Sequence, residues 1–274
     1  MSDARIELAR IAAALEAMAP DAFGSTDWLA APAYVWDGSA RPVHAISAPP
    51  LGLLKGIDAQ KERVSANVTR FALGHAAHDM LLWGARGMGK SALLRAAVAA
   101  AQAGHPGKLA LVQIAPDALS RLSALFAALG QIKRHFLVFI DDLGFEDGDS
   151  TGPRALRSWL EGGVEARPGN VRLAVTSNRR AIVPRHLSEQ DDPVNPRDAV
   201  DDQLALADRF GLSLGFHACN QDDYLAIVAG YAAALELNWS EADALEWSKR
   251  RGARSGRVAW QFVTELAGNA GRPL

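Results

Sequence analysis

Short apolar runs alternate with longer amphipathic stretches along the middle of the chain. The apolar runs are rich in leucine and valine, which is typical of strands buried on both faces of a sheet. The predicted strands are 80–83, 109–114, 136–140, 171–176 and 212–216, and the predicted helices lie near 91–102, 116–130, 153–166 and 200–209. This alternation predicts an α/β fold with a five-stranded parallel sheet flanked by helices.

The two ends of the chain have a different pattern. Residues 4–18 have the spacing of a helix, and residues 20–50 carry five prolines, so we expect an N-terminal helix followed by an irregular arm. After residue 220 the helical segments 222–235, 240–251 and 256–267 follow one another without a strand. The predicted domains are the N-terminal helix and arm (1–50), an α/β domain (51–219) and a small all-helical lid (220–274).

Composition narrows the class of protein. Of the 274 residues 49% are hydrophobic, and no stretch is long and apolar enough to span a membrane. The N-terminal residues lack the order of a secretion signal, and the single cysteine, Cys219, excludes an intrachain disulfide. A cytoplasmic protein is therefore expected. The net charge of −2 gives no overall nucleic-acid signature.

Residues 84–91 form a complete G-x-x-x-x-G-K-[ST] phosphate loop between a predicted strand and a predicted helix. Its members are Gly84, Ala85, Arg86, Gly87, Met88, Gly89, Lys90 and Ser91. In such a loop, successive backbone N–H groups surround phosphate oxygens at a helix N-terminus. Lys90 is expected to reach the β- and γ-phosphates of a nucleotide, and Ser91 to hold Mg²⁺.

The apolar run 136–140 ends in two carboxylates, Asp141 and Asp142. In open α/β folds, ligands bind at the carboxyl ends of the strands, so Asp141 is predicted to hold Mg²⁺. Asp142 is predicted to orient or deprotonate the attacking water. Aspartate reaches one methylene less far than glutamate, which leaves Glu146 as an alternative base.

Three further positions suit charge stabilisation. Asn178 follows a predicted strand and can bond both phosphate and water, although a turn role is as common. Arg209 precedes the last strand and can complete a neighbouring subunit's site, or form a surface salt bridge. The basic run 249–257 fits nucleic-acid backbones, a solvated helix end or a nucleotide phosphate; we favour the phosphate, with Arg257 first and Arg254 second.

Taken together, these motifs resemble the AAA+ ATPases from about residue 52 onward. More narrowly, the chain resembles an uncharacterised bacterial family of ATP-binding proteins. The matching segments are 54–61, 81–91, 140–143, 176–180, 208–212 and 254–262. The resemblance implies that Ile57 lies against adenine, Asn178 is the first sensor, Arg209 is the arginine finger and Arg257 is the second sensor. The acidic, proline-broken stretch 181–203 departs from the family pattern near Arg209.

The resemblance implies ATP and Mg²⁺ as ligands and a homo-oligomer that shares nucleotide across its interfaces. The leading hypothesis is an Mg-dependent ATPase that remodels a macromolecular partner, which the resemblance does not name. The alternative is an ATP-gated binding module with little hydrolysis. DNA is a weaker candidate client, and a small-molecule phosphotransferase is the weakest hypothesis because no acceptor pocket is recognisable.

Overall fold

The computed structural model describes residues 26–144, 160, 167–178 and 208–273. The predicted helices near 4–18, 153–166 and 200–209, the base candidate Glu146 and the divergent stretch 181–203 lie outside these residues, apart from Leu160, Asp208 and Arg209. None of the described helices is long and apolar enough to cross a membrane.

Within the described residues, seven strands form one mostly parallel sheet, which confirms the α/β prediction. They are β1 (Ala33–Trp36), β2 (Ala40–Val43), β3 (Met80–Gly84), β4 (Leu109–Ile114), β5 (His135–Ile140), β6 (Val171–Ser177) and β7 (Leu212–Phe216). All five predicted strands are present, to within one residue at each end. The spatial order is β2-β1-β4-β5-β6-β3-β7, so β6 separates the phosphate-loop strand from the carboxylate strand.

The sheet has two more strands than predicted because residues 26–50, the part of the N-terminal arm that the structure describes, contribute two strands. Strand β1 pairs in parallel with β4, and β2 pairs antiparallel with β1 at the edge of the sheet. Pro42 lies in this edge strand, where a missing N–H costs no ladder hydrogen bond to a further strand. Each strand has only four residues, so neither showed a clear alternating pattern in the sequence.

Helices cover both faces of the sheet. The described α-helices before β7 are α1 (Asp58–Ala72), α2 (Lys90–Gly104) and α3 (Leu122–Gly130). Helices α1 and α2 pack on one face, where Val68, Phe71 and Leu94 meet alternate residues of the strands. Helix α3 packs on the other face together with Trp28 and Tyr34 of the arm. Helix α1 is not among the helices that the sequence predicted.

Three described helices follow β7 and share a hydrophobic cluster of their own. They are α4 (Gln221–Ala234), α5 (Glu241–Arg250) and α6 (Gly256–Asn269). Each begins with a side-chain cap: Asn220 accepts from the N–H of Asp223, Ser240 from that of Asp243, and Ser255 from that of Val258. We call these three helices the lid; its predicted limits remain a proposal.

A buried arginine attaches the arm to the sheet. The Arg134 guanidinium, 6% exposed, donates to the carbonyls of Trp28 at 2.9 Å, Ala31 at 2.8 Å and Leu109 at 2.9 Å. Burial lowers the pKa of this group, and the carbonyl oxygens replace part of the hydration that it loses. The described part of the arm is therefore attached to the folded core.

We expect Arg134→Ala to lower the free energy of unfolding by about 2–4 kcal/mol, because three buried carbonyls lose a charged donor. Urea denaturation of the full chain measures this. The matched control is Lys133→Ala, whose side chain is exposed and whose effect should stay within about 0.5 kcal/mol. Equal effects of the two substitutions would contradict the role given to Arg134.

Candidate nucleotide-binding site

The phosphate loop leaves β3 in a conformation that excludes side chains at two positions. Gly84 has φ 122°, and a β-carbon there would lie 2.1 Å from the carbonyl oxygen of Phe216 in β7. The next residue, Ala85, donates its N–H to the same oxygen at 2.8 Å. Gly87 has φ 76°, and a β-carbon would lie 2.8 Å from Ser255 Oγ. The loop therefore lies against β7 on one side and the lid on the other.

Lys90 is the first residue of α2 and is 7% exposed. Its Nζ donates to the carbonyls of Gly84 at 2.7 Å and Ala85 at 2.9 Å, and to Asn178 Oδ1 at 3.3 Å. Burial lowers the pKa of the ammonium, and the nearby carboxylates of Asp142 and Asp141 oppose that shift. The ammonium is thus held inside the loop, where it would contact a bound phosphate group.

Asp141 follows β5 and connects three elements. Its Oδ1 accepts from Ser91 Oγ at 2.5 Å and from Thr176 Oγ1 at 2.6 Å. The Thr176 oxygen also accepts the N–H of Asp142 at 2.7 Å. Thr176 is 2% exposed, so it fixes both carboxylate residues from inside the sheet. The sequence pattern predicted no role for Thr176; a hydroxyl near the carboxyl end of a largely apolar strand was the available signal.

Asp142 has φ 53°, an uncommon conformation for a residue with a side chain, and such outliers cluster at functional sites. Asn178 donates from Nδ2 to its Oδ1. Arg86 of the phosphate loop lies with Nη2 3.4 Å from its Oδ2. The structure therefore brings the predicted water-orienting pair, Asp142 and Asn178, into direct contact.

The lid touches the loop directly. The N–H of Arg257, in the first turn of α6, donates to the carbonyl of Gly87 at 3.1 Å. The Arg257 Cβ lies 3.2 Å from the place of a Gly87 β-carbon. Both lid arginines that the sequence analysis proposed thus belong to a segment that lies on the phosphate loop.

A cavity of about 530 Å³ lies between the loop and the lid, a volume typical of small-molecule sites. Three of its lining residues are cations, Arg86, Lys249 and Arg254, and none of its lining residues is an acid. The half-buried Cys219 also lines it, and burial raises the pKa of that thiol, which favours the neutral form. Because its lining is cationic, the cavity favours an anionic ligand.

Two other cations of the basic run 249–257 are engaged on the lid surface. Arg250 pairs with Glu246 one turn earlier in α5. The Arg251 guanidinium lies 4.7 Å from the Trp247 ring centroid and bonds to Gln261 at 3.3 Å. The run is therefore divided between the cavity, the loop and local contacts.

Two predicted residues lie apart from the polar groups described above. Ile57, 4% exposed, packs behind the loop, with Cδ1 3.6 Å from the place of a Gly89 β-carbon. Arg209 comes just before β7, whereas Phe216 at the far end of β7 contacts the loop. The four residue steps of this strand span roughly 13 Å. Arg209 thus lies at the amino end of β7, whereas the phosphate loop of the same chain lies at its carboxyl end.

The polar groups at the carboxyl ends of β3, β5 and β6 fit Mg²⁺ bound with a nucleotide. The ion prefers one or two carboxylates together with hydroxyl, phosphate and water oxygens. Ser91 Oγ and Asp141 Oδ1 already converge, as such a site requires. Among the residues that the structure describes, no group of three histidines, cysteines or acids suggests a different metal site.

Comparison with known sequences now places the chain in a family. The sequence profile of the family described as "Protein of unknown function (DUF815)" matches residues 29–270. The chain belongs to the DUF815 family. No curated protein matches its sequence.

Solved structures show which fold this DUF815 protein has. A variant of Thermotoga maritima RuvB is similar with a TM-score of 0.54 and 16% identity, over 81% of this chain and 66% of the RuvB chain. Another structure, described as the RuvB Holliday junction branch migration motor, gives a TM-score of 0.50 and 15% identity, over 80% of this chain and 65% of that one. The DUF815 chain thus spans slightly less than two thirds of these RuvB chains.

Domain III of the T. maritima replication initiation protein DnaA gives a TM-score of 0.51 and 12% identity. That match covers 84% of this chain and 89% of the DnaA domain. The fold of the DUF815 protein is that of the AAA+ ATPases. At these identities the likeness establishes the fold alone.

We expect Thr176→Val to weaken Mg²⁺ binding at Asp141 by about 10- to 100-fold, because the variant keeps the shape but loses the hydroxyl that orients the carboxylate. A Mg²⁺ titration at fixed ATP concentration, followed by calorimetry, measures the change. Thr176→Ser keeps the hydroxyl and is the control. Equal Mg²⁺ dependence in both variants would show that Thr176 does not position Asp141.

Proposed function

We propose that this DUF815 protein is an Mg-dependent ATPase of the AAA+ type that couples ATP turnover to remodelling of a macromolecular partner. One observation carries the proposal. The groups needed for phosphoryl transfer to water converge at one edge of the sheet, beside a cationic cavity. Lys90 lies inside the loop, Ser91 contacts Asp141, and Asn178 contacts Asp142.

Each residue has a role that follows from its contacts. The loop N–H groups and Lys90 would bind the phosphates, and Arg254 or Arg257 would approach them from the lid. Ser91 and Asp141 would hold Mg²⁺, which neutralises charge that develops on the phosphate oxygens. Asp142 and Asn178 would position water. Ile57 would support the adenine side from behind Gly89.

We expect Lys90→Ala to weaken ATP binding at least about tenfold, because the loop loses its buried charge and its bonds to phosphate. Isothermal titration with ATP and Mg²⁺ measures the affinity. The matched control is Lys108→Ala, an exposed lysine just before β4 at the opposite edge of the sheet. Wild-type affinity in Lys90→Ala would overturn the nucleotide site.

The proposed active site is shared between subunits. Arg209 lies at the edge of the sheet away from its own loop, so it would act on ATP bound to a neighbouring copy. An arginine supplied in this way stabilises transition-state charge and raises turnover by about 10³–10⁵ in characterised enzymes. This position of Arg209 supports the proposal of a homo-oligomer with nucleotide at its interfaces.

Mixing two inactive variants tests the shared site. Arg209→Ala and Lys90→Ala should each lose ATPase activity, and a mixture should regain part of it, because Lys90→Ala subunits supply Arg209 to intact loops. The control replaces Lys90→Ala by the double variant Lys90→Ala/Arg209→Ala, which cannot complement. A mixture as inactive as this control, or full activity in Arg209→Ala alone, would exclude a shared site.

An ATP-gated switch with little hydrolysis is the second candidate, and one observation favours it. Both carboxylate oxygens of Asp142 are engaged, one by Asn178 and the other by Arg86. The same ATPase assay separates the candidates. Turnover near background at every protein concentration, with ATP still bound, would favour the switch, whereas turnover lost in Asp142→Asn would favour the ATPase.

The client is proposed only as a class, a macromolecule. RuvB and DnaA are described as a branch migration motor and a replication initiation protein, which makes DNA a candidate. The basic run offers limited support because Lys249 and Arg254 face the cavity and Arg250 pairs with Glu246. Salt-dependent DNA binding would support DNA as the client.

A further inference from the structure

Arg86 carries a charge in the phosphate loop that the general mechanism does not require. The G-x-x-x-x-G-K-[ST] pattern leaves its position open to any residue. In this chain its guanidinium lies 3.4 Å from the Asp142 carboxylate and also lines the cavity beside Arg254. Arg86 is therefore placed between a carboxylate and a cavity suited to anions.

The backbone around Arg86 is constrained, whereas its side chain is exposed. The N–H of Ala85 donates a hydrogen bond to the carbonyl of Phe216, and the carbonyl of Gly87 accepts one from the N–H of Arg257. The Arg86 side chain is 73% exposed and the Asp142 side chain 54%. Rotation of the Arg86 side chain alone can therefore exchange its partner without moving the loop.

A terminal phosphate would compete with Asp142 for this guanidinium. Arginine binds carboxylates and phosphates with the same planar set of donors. Lys90 cannot make this exchange in the same way, because its ammonium is 7% exposed and bonded to two loop carbonyls. Because the pair of Arg86 with Asp142 is exposed to solvent, it is weak enough to break when a phosphate binds.

We propose that Arg86 is a positioning residue that moves from Asp142 to the terminal phosphate of a nucleoside triphosphate, so that one Asp142 oxygen becomes free to orient water. This rests on the proposed nucleotide site and deepens it. A diphosphate lacks the terminal group, so Arg86 would remain on Asp142 in its presence. The arrangement couples release of Asp142 to the triphosphate.

A binding cycle without hydrolysis tests the exchange. The affinity of the full chain for the non-hydrolysable analogue AMP-PNP and for ADP is measured by calorimetry with Mg²⁺. The four proteins are wild type, Asp142→Asn, Arg86→Gln and the double variant. Both substituted side chains are more than half exposed, so the fold should survive, and thermal unfolding checks this.

We compare the gain in AMP-PNP affinity that Asp142→Asn causes with Arg86 present and with Arg86→Gln. We expect this gain to be about two- to fivefold larger when Arg86 is present, which is the range that an exposed ion pair allows. The reason is that binding no longer has to break the pair. ADP affinity should show no such difference. Arg86→Lys, which keeps the charge without the planar donors, should show a reduced difference.

The opposite sign would overturn the proposal. If Arg86 stays on Asp142 when the triphosphate binds, it shields the phosphate from that carboxylate. Asp142→Asn would then help binding equally or more in the Arg86→Gln background. A failure of the proposed nucleotide site gives a different result. The wild type would then bind neither AMP-PNP nor ADP, which would contradict both the nucleotide site and the exchange of Arg86.

Discussion

The ammonium of Lys90 is the interaction on which the candidate site depends. It donates hydrogen bonds to three oxygens, two from the phosphate-loop backbone and one from Asn178 after β6. Burying a positive charge is costly unless its hydrogen bonds are replaced, so these oxygens must stay close together. One side chain therefore links the start of α2, the loop and the end of β6. Asn178 continues the link to Asp142.

The loop also connects the sheet to the lid through its backbone. On one side Ala85 bonds to Phe216 in β7, and on the other Gly87 accepts the N–H of Arg257 in α6. A β-carbon would lie 2.1 Å from the Phe216 oxygen at Gly84 and 2.8 Å from Ser255 Oγ at Gly87, so neither position has room for a side chain. A change in the loop on ligand binding would thus reach the lid without passing through another side chain.

The fold and the activity rest on different features of the molecule. The DUF815 profile covers residues 29–270, and the AAA+ fold follows from the sheet order and from structures that share 12–16% of their residues with this chain. The proposed activity depends on a few side chains at the carboxyl ends of the strands and on the contacts that they make. Arg86 illustrates the point, since its pairing with Asp142 is a feature of this chain's own loop.

The sequence by itself determined the five central strands, the phosphate loop and the carboxylates Asp141 and Asp142. Buried strands need continuous apolar runs, and a loop that surrounds phosphate needs glycines beside Lys90 and Ser91, so both leave local patterns. Tertiary structure decided the pairing of the short strands β1 and β2. Strands of four residues are stabilised by packing against neighbouring strands and not by the intrinsic β-propensity of their residues. Tertiary structure also decided the contacts of Thr176, Ile57 and Arg86, whose partners lie about 30 to 60 residues away, beyond the range of a local sequence pattern.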